Sequence, residues 1–157
     1  MPPLLRFLVA VLPVVAVAVS ASLITQPNIP GWYAGLQKPS FTPPNWAFPV
    51  AWTILYAMMA YALWRILSLP ENRPGRSTAI IAFFVQLALN GTWSFAFFGG
   101  QSPLAGLMVI AALIVAILAT IRTFWRLDRT AALLLVPYLA WVSYATLLNA
   151  TIWRLNG

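Results

Sequence analysis

Five stretches of this chain, at about residues 4–24, 48–69, 79–98, 104–125 and 131–153, each run for about twenty residues with at most one charged side chain. Twenty residues at 1.5 Å per residue match the roughly 30 Å of hydrocarbon in a bilayer. Inside lipid no water is present to satisfy backbone N–H and C=O groups, and an open strand would leave them bare, so each stretch is read as a helix. The whole composition agrees. Of the 157 residues, 62% are hydrophobic and 7% are charged, against about 25% charged in an ordinary soluble domain. The expectation is an all-α integral membrane protein, one domain over residues 1–157, folded as a five-helix bundle in contact with a lipid bilayer.

The connectors constrain the topology. LPENRPGRS, GGQSP and RLDRT are short, so consecutive helices are antiparallel neighbours. Gly99, Gly100 and Pro103 act as breakers. The first stretch is long for a signal peptide and is read as a span. Seven arginines (Arg6, Arg65, Arg73, Arg76, Arg122, Arg126 and Arg129) fall on the N-terminal side of the bundle, and only Lys38 and Arg154 on the other. The positive-inside rule places the N-terminus in the cytoplasm, with the first loop and the C-terminus outside. Helical spans favour a bacterial inner membrane. The net charge of +7 is thus a topology signal at helix ends, and no nucleic-acid partner is expected.

Chemistry is limited by what is missing. There is no cysteine and no histidine, and the only acids are Glu71 and Asp128. Thiolate or histidine catalysis, a paired-carboxylate mechanism and a metal site have no candidates. No ionisable side chain lies at mid-membrane, which argues against ion-coupled transport. No cofactor requirement is expected.

The interior is instead aromatic and amide. Gln86, Asn90, Trp93 and Phe97 share one face of the third helix, Tyr138, Trp141, Ala145 and Asn149 one face of the fifth, and Trp52, Tyr56 and Met59 one face of the second. Buried amides need partners. Gln86, Asn90 and Asn149 either bond across helices as packing groups or converge on a cavity and orient a ligand; spacing alone supports both. Trp46, Trp64, Trp125 and Trp153 suit interfacial belts. Trp52, Trp93 and Trp141 lie deeper, where packing or ligand contact explains them better. Small-residue rows Ala88, Thr92, Ala96 and Ala112, Ala116, Thr120 suit close helix contacts within the bundle or between two copies.

The remaining connector, WYAGLQKPSFTPPNWAFPVAW, holds three of the eight tryptophans, and with Pro30 the region holds five of the thirteen prolines. Proline fixes φ and removes a donor, so this segment is expected to stay non-helical and pre-ordered. Long ordered loops are commonly lids; an interfacial plug is the alternative.

This connector and the helix after it resemble the TspO/translocator protein family, also known as tryptophan-rich sensory proteins or peripheral-type benzodiazepine receptors. Trp32, Tyr33, Leu36, Lys38, Pro39, Pro43, Pro44, Trp52, Leu55 and Tyr56 match the family's first-loop and second-helix pattern. QLALNGTWSFAFFG is similar to its third helix and VPYLAWVSYATLLNATIWRLN to its fifth. The resemblance covers almost the whole chain. It implies a pocket opening toward the first loop, with Trp32, Tyr33, Lys38, Pro39, Pro43 and Pro44 in a lid. Trp32, Trp52, Asn90, Tyr138 and Trp141 would be pocket residues, beside the face residues Tyr56, Gln86, Trp93, Ala145 and Asn149. It implies tetrapyrrole ligands (protoporphyrin IX or haem), benzodiazepine-type ligands, and a homodimer. Lys38 is placed to meet a propionate. A sensor or receptor of tetrapyrroles is the leading expectation. A porphyrin transporter, a light-dependent porphyrin-degrading protein using Trp52 and Trp141, and an assembly protein are the alternatives. The chain departs from the family pattern at Phe41, where many relatives have tryptophan, and LLNATIWR lacks the tyrosine of the animal sterol motif.

Overall fold

A computed structural model describes all 157 residues, and five of its helical stretches are long and apolar enough to cross a membrane. Helix α1 spans Pro3–Thr25, α2 Ala47–Leu67, α3 Arg76–Ser94 and α4 Pro103–Trp125; the last crossing is divided into α5, Arg129–Leu134, and α6, Val136–Asn156. There are no strands. The five crossings fall where the hydropathy placed them, with ends differing by a few residues.

Two differences have physical causes. The fifth span is not one helix: it breaks at Leu135, two residues before Pro137. Pro137 has no N–H to donate and its ring excludes the carbonyl one turn back, so the chain restarts with proline in the first turn of α6. The first loop is also shorter than expected. After α1 the chain continues through a 3₁₀ turn at Gln26–Asn28 and a π turn at Ile29–Tyr33. Pro27 and Pro30 each sit in the first turn of these segments, where a missing N–H is harmless. The irregular connector is therefore only residues 34–46.

The other ends use familiar devices. Ser102 caps α4 by accepting from the Ala105 N–H at 3.1 Å, with Pro103 at the first helical position. Gly75 opens α3 at φ +86°, a conformation other residues rarely adopt. Phe95–Gly99 forms a π turn at the end of α3, so Phe97 and Phe98 are carried over the site described below.

The bundle is closed at the arginine-rich end and splayed at the first-loop end. α1 packs on α2 and α3, α3 on α4, α4 on α6, and α2 on α5. α2 has few close backbone approaches to α6, so the break at Leu135 lets the last crossing lean away from α2 toward the first loop. Met59, Leu63, Ile66, Phe83, Phe124 and Leu135 fill the closed half and are almost fully buried. Thr120 reaches the Ala82 carbonyl of α3 at 3.0 Å, joining α3 to α4, while Ala88 and Thr92 face outward beside α1. Trp64, Trp125 and Trp153 are exposed near helix ends, as belt residues would be; the Arg129 guanidinium lies over the Trp125 ring at 5.0 Å.

Asp128 holds the arginine-rich end together. Its carboxylate takes Arg65 Nε at 2.9 Å and caps α5 through the Ala131 N–H at 3.2 Å. Partial burial pushes the carboxyl upward, but the Arg65 hydrogen bond and the Ala131 N–H outweigh it and hold its pKa below the usual carboxylate value. A depressed folded-state pKa adds stability above the unfolded-state value of about 4, and this is lost as pH falls through the folded value. Asp128→Ala is expected to cost about 1–2 kcal/mol at pH 7. In detergent, the gap in thermal unfolding between wild type and variant should narrow as the solution is acidified below pH 4. A gap independent of pH would show that the carboxylate contributes only as a side chain, not as a charge.

Candidate functional site

The splayed half encloses a cavity of about 500 Å³, within the 300–1,000 Å³ usual for small-molecule sites. Every element around it contributes. α1 supplies small residues, Ala18, Ala21, Ser22 and Thr25; α2 supplies Phe48, Trp52 and Tyr56; α3 and its π turn supply Asn90, Trp93, Phe97 and Phe98. α4 gives Ile110 and Leu113, and α6 gives Trp141, Ala145, Leu148 and Asn149. Asn45 and Trp46 close the loop side, and Trp46 is 70% exposed at the mouth.

Of the ten expected ligand-facing residues, seven line this cavity: Trp52, Tyr56, Asn90, Trp93, Trp141, Ala145 and Asn149. Gln86, Tyr138 and Trp32 do not. Gln86 and Tyr138 lie on the correct faces but one turn too deep, and both are fully buried. Trp32 stacks edge-on against Phe97 and Phe98 at 5.3 and 6.2 Å, bracing the wall from behind. Of the lid residues only Tyr33 reaches the lining. The Lys38 ammonium is spent on the Tyr33 and Leu36 carbonyls at 2.8 and 3.1 Å and lies 4.7 Å over the Tyr33 ring. It braces the end of the π turn by donating to these two carbonyls and does not line the cavity.

The amides are partnered within the protein, except that Gln86 Nε2 has no acceptor. Tyr56 O–H donates to Asn90 Oδ1 at 2.7 Å, Asn90 Nδ2 donates to Tyr138 Oη at 2.9 Å, and Tyr138 O–H donates to Gln86 Oε1 at 2.7 Å. Nearer the loop, Trp93 Nε1 donates to Asn149 Oδ1 at 3.0 Å, and Asn149 Nδ2 donates to the Pro103 carbonyl at 2.7 Å. The first set joins α2, α3 and α6; the second joins α3, α6 and the start of α4. Gly106 makes the second possible. A Cβ there would stand 2.8 Å from Phe97 and 2.9 Å from Asn149 Oδ1. One donor stays unmatched in the wall: the buried indole N–H of Trp141 has no acceptor in the protein.

Aromatic rings supply most of the remaining surface. Trp52 stacks on Tyr56 at 5.4 Å and meets Tyr138 edge-on at 6.2 Å; Phe48 meets Trp141 edge-on at 5.9 Å; Trp93 stacks on Phe97 at 5.1 Å. Such contacts fix ring planes and leave flat faces toward the space between them.

The sequence faces missed Phe48, Phe98 and the whole α1 wall. The α1 signal was present: Ala18, Ala21, Ser22 and Thr25 repeat at helical spacing, a stripe of small residues that makes room.

The loop is fastened to α6. Gln37 N–H donates to Asn156 Oδ1 at 3.0 Å and Asn156 Nδ2 donates back to the Gln37 carbonyl at 2.9 Å. The Tyr144 hydroxyl donates to the Phe41 carbonyl, and the two rings touch. In Asn156→Ala the Gln37 amide should exchange with solvent roughly three- to tenfold faster, with the amides of α3 and α4 unchanged. Unaltered protection at Gln37 would show that the loop is held by something other than this bracket.

Comparison with known proteins places the same residues in a wider group. Residues 9–154 match the model of the TspO/MBR family. The Tryptophan-rich protein TspO of Chlorobaculum tepidum is 45% identical over 141 residues, covering 90% of this chain and 89% of that one. The Tryptophan-rich protein TspO of Archaeoglobus fulgidus is 42% identical over 158 residues, covering 98% and 99%. The human Translocator protein is 36% identical over 126 residues, covering 80% and 75%.

Proposed function

Because the chain belongs to the TspO/MBR family, we propose that it is a membrane receptor that senses tetrapyrroles such as protoporphyrin IX or haem, and that it also accepts benzodiazepine-type ligands. The observation that carries this reading is the cavity itself: about 500 Å³, walled by Trp52, Trp93, Trp141, Phe48 and Phe97, and closed by a fastened loop. Flat conjugated ligands gain from offset and edge-on contact with such rings. The absence of any Asp, Glu, Lys, Arg or His from the lining suits ligands that stay in an apolar phase and argues against ion-coupled pumping. A similar protein of Cereibacter sphaeroides, 40% identical over 125 residues, is called Tryptophan-rich sensory protein, which favours sensing. The arginine distribution supports an N-terminus in the cytoplasm of a bacterial inner membrane, with the loop outside. Two copies are proposed to form a homodimer, as the family resemblance implies.

The test is titration of purified protein in detergent with protoporphyrin IX, read by tryptophan quenching. Wild type should bind saturably. Trp52→Phe/Trp141→Phe should bind at least several-fold more weakly, since each ring supplies about 0.5–1.5 kcal/mol of aromatic contact. Ala145→Phe, which pushes a ring into the cavity between Trp141 and Asn149, should abolish saturation. Linear quenching, equal in all three, would mean partition into the micelle and would overturn the reading.

A further inference from the structure

Gln86 is the one amide beneath the cavity that packing leaves unexplained. It is fully buried on α3, and its Nε2 finds no acceptor among the protein atoms. Ending a buried hydrogen-bond chain on an unmatched N–H is costly, whereas a carbonyl with spare capacity is better tolerated. Three bonds lead to this point and all run one way, from Tyr56 through Asn90 and Tyr138 to Gln86. The far end opens on the cavity, since Tyr56 and Asn90 line it and Tyr138 and Gln86 do not.

Every member of the chain both donates and accepts. Half-turns of two amides and rotation of two hydroxyls therefore reverse it without moving the backbone. Gln86 Nε2 then donates to Tyr138, Tyr138 donates to Asn90 Oδ1, and Asn90 Nδ2 donates to Tyr56. The Tyr56 O–H is freed toward the cavity, and the unmatched group at Gln86 becomes a carbonyl. With the cavity empty, one unmatched donor has replaced another. With an acceptor beside Tyr56, every donor nitrogen and hydroxyl in the chain has at least one partner.

We propose that Tyr56, Asn90, Tyr138 and Gln86 form a reversible hydrogen-bond relay that selects ligands presenting a carbonyl or carboxylate oxygen to Tyr56 and changes direction when they bind. The relay rests on the cavity being the ligand site. It carries occupancy from α2 through α3 and α6 to a side chain that the ligand never touches.

The decisive variant lies outside the cavity. In Gln86→Met the Tyr138 hydroxyl has lost its acceptor and turns to Asn90, which holds the relay reversed with Tyr56 free to donate. Tyr56→Phe removes the terminal donor. The probes are fluorenone and fluorene, the same ring system with and without a carbonyl. Their dissociation constants come from the saturable heat of titration into the protein in detergent, with Ala145→Phe as the blocked-cavity control. Wild type should prefer fluorenone. Gln86→Met should widen that preference by roughly three- to tenfold, the worth of one net hydrogen bond, by tightening fluorenone alone, and Tyr56→Phe should erase it. The infrared carbonyl band of bound fluorenone should lie lower in wild type and Gln86→Met than in Tyr56→Phe, a signature that a purely structural effect would not produce. A preference unchanged in Gln86→Met overturns the relay. A preference surviving in Tyr56→Phe also overturns it and points to the Trp141 N–H as donor. Saturable fluorene binding in wild type, lost in Ala145→Phe, keeps the cavity as the site whatever the relay does. If neither probe saturates, or Ala145→Phe binds equally, the cavity reading fails and takes the relay with it.

Discussion

In a lipid-embedded bundle, every polar group turned inward must find its partner inside the protein. Two short sets of hydrogen bonds meet most of that demand here, leaving only the Gln86 Nε2 and Trp141 N–H groups unmatched around the cavity. Tyr56, Asn90, Tyr138 and Gln86 tie α2, α3 and α6 together below the cavity. Trp93, Asn149 and the Pro103 carbonyl tie α3, α6 and α4 along its wall. Cross-helix bonds in membranes are worth only about 0.6 kcal/mol each on average, so their importance is directional rather than energetic. They fix which face of each helix turns inward and at what depth, and the aromatic rings take their planes from them.

The cavity then follows from one proline and one stripe of small residues. Pro137 breaks the last crossing, so α5 packs on α2 while α6 stands away from it. The small side chains of α1 leave the opposite wall open. Rings from α2, α3 and α6 cover the space without filling it, and the Asn156–Gln37 bracket fastens the loop across its mouth. A flat, conjugated guest is the shape such a space admits.

Much of this was legible from residue order. Charge-free runs of bilayer length gave five crossings, and helical spacing selected Trp52, Tyr56, Asn90, Trp93, Trp141, Ala145 and Asn149, all of which line the cavity. Periodicity reports direction around a helix but not depth along it, and so Gln86 and Tyr138 were grouped with the lining when they lie beneath it. The question left open for the amides, packing group or ligand contact, has a split answer: Gln86 is purely internal, while Asn90 and Asn149 are bonded internally and also line the cavity. Pro30 is among the prolines expected to bar helix, yet it occupies the first turn of its segment, where proline is at home, as does Pro27. Lys38 was matched to a propionate because charge invites a counter-charge; its nearest acceptors are backbone carbonyls four atoms of side chain away, which no pattern of residue types reveals.

Whether the space between α2, α3 and α6 holds a tetrapyrrole, as proposed, is decided by a structure of the protein with protoporphyrin IX bound. The macrocycle is expected between Trp52 and Trp141, beneath Trp46 and the loop, with Gln86 and Tyr138 out of its reach. A macrocycle found on the lipid-facing surface, with the cavity unchanged, would contradict it.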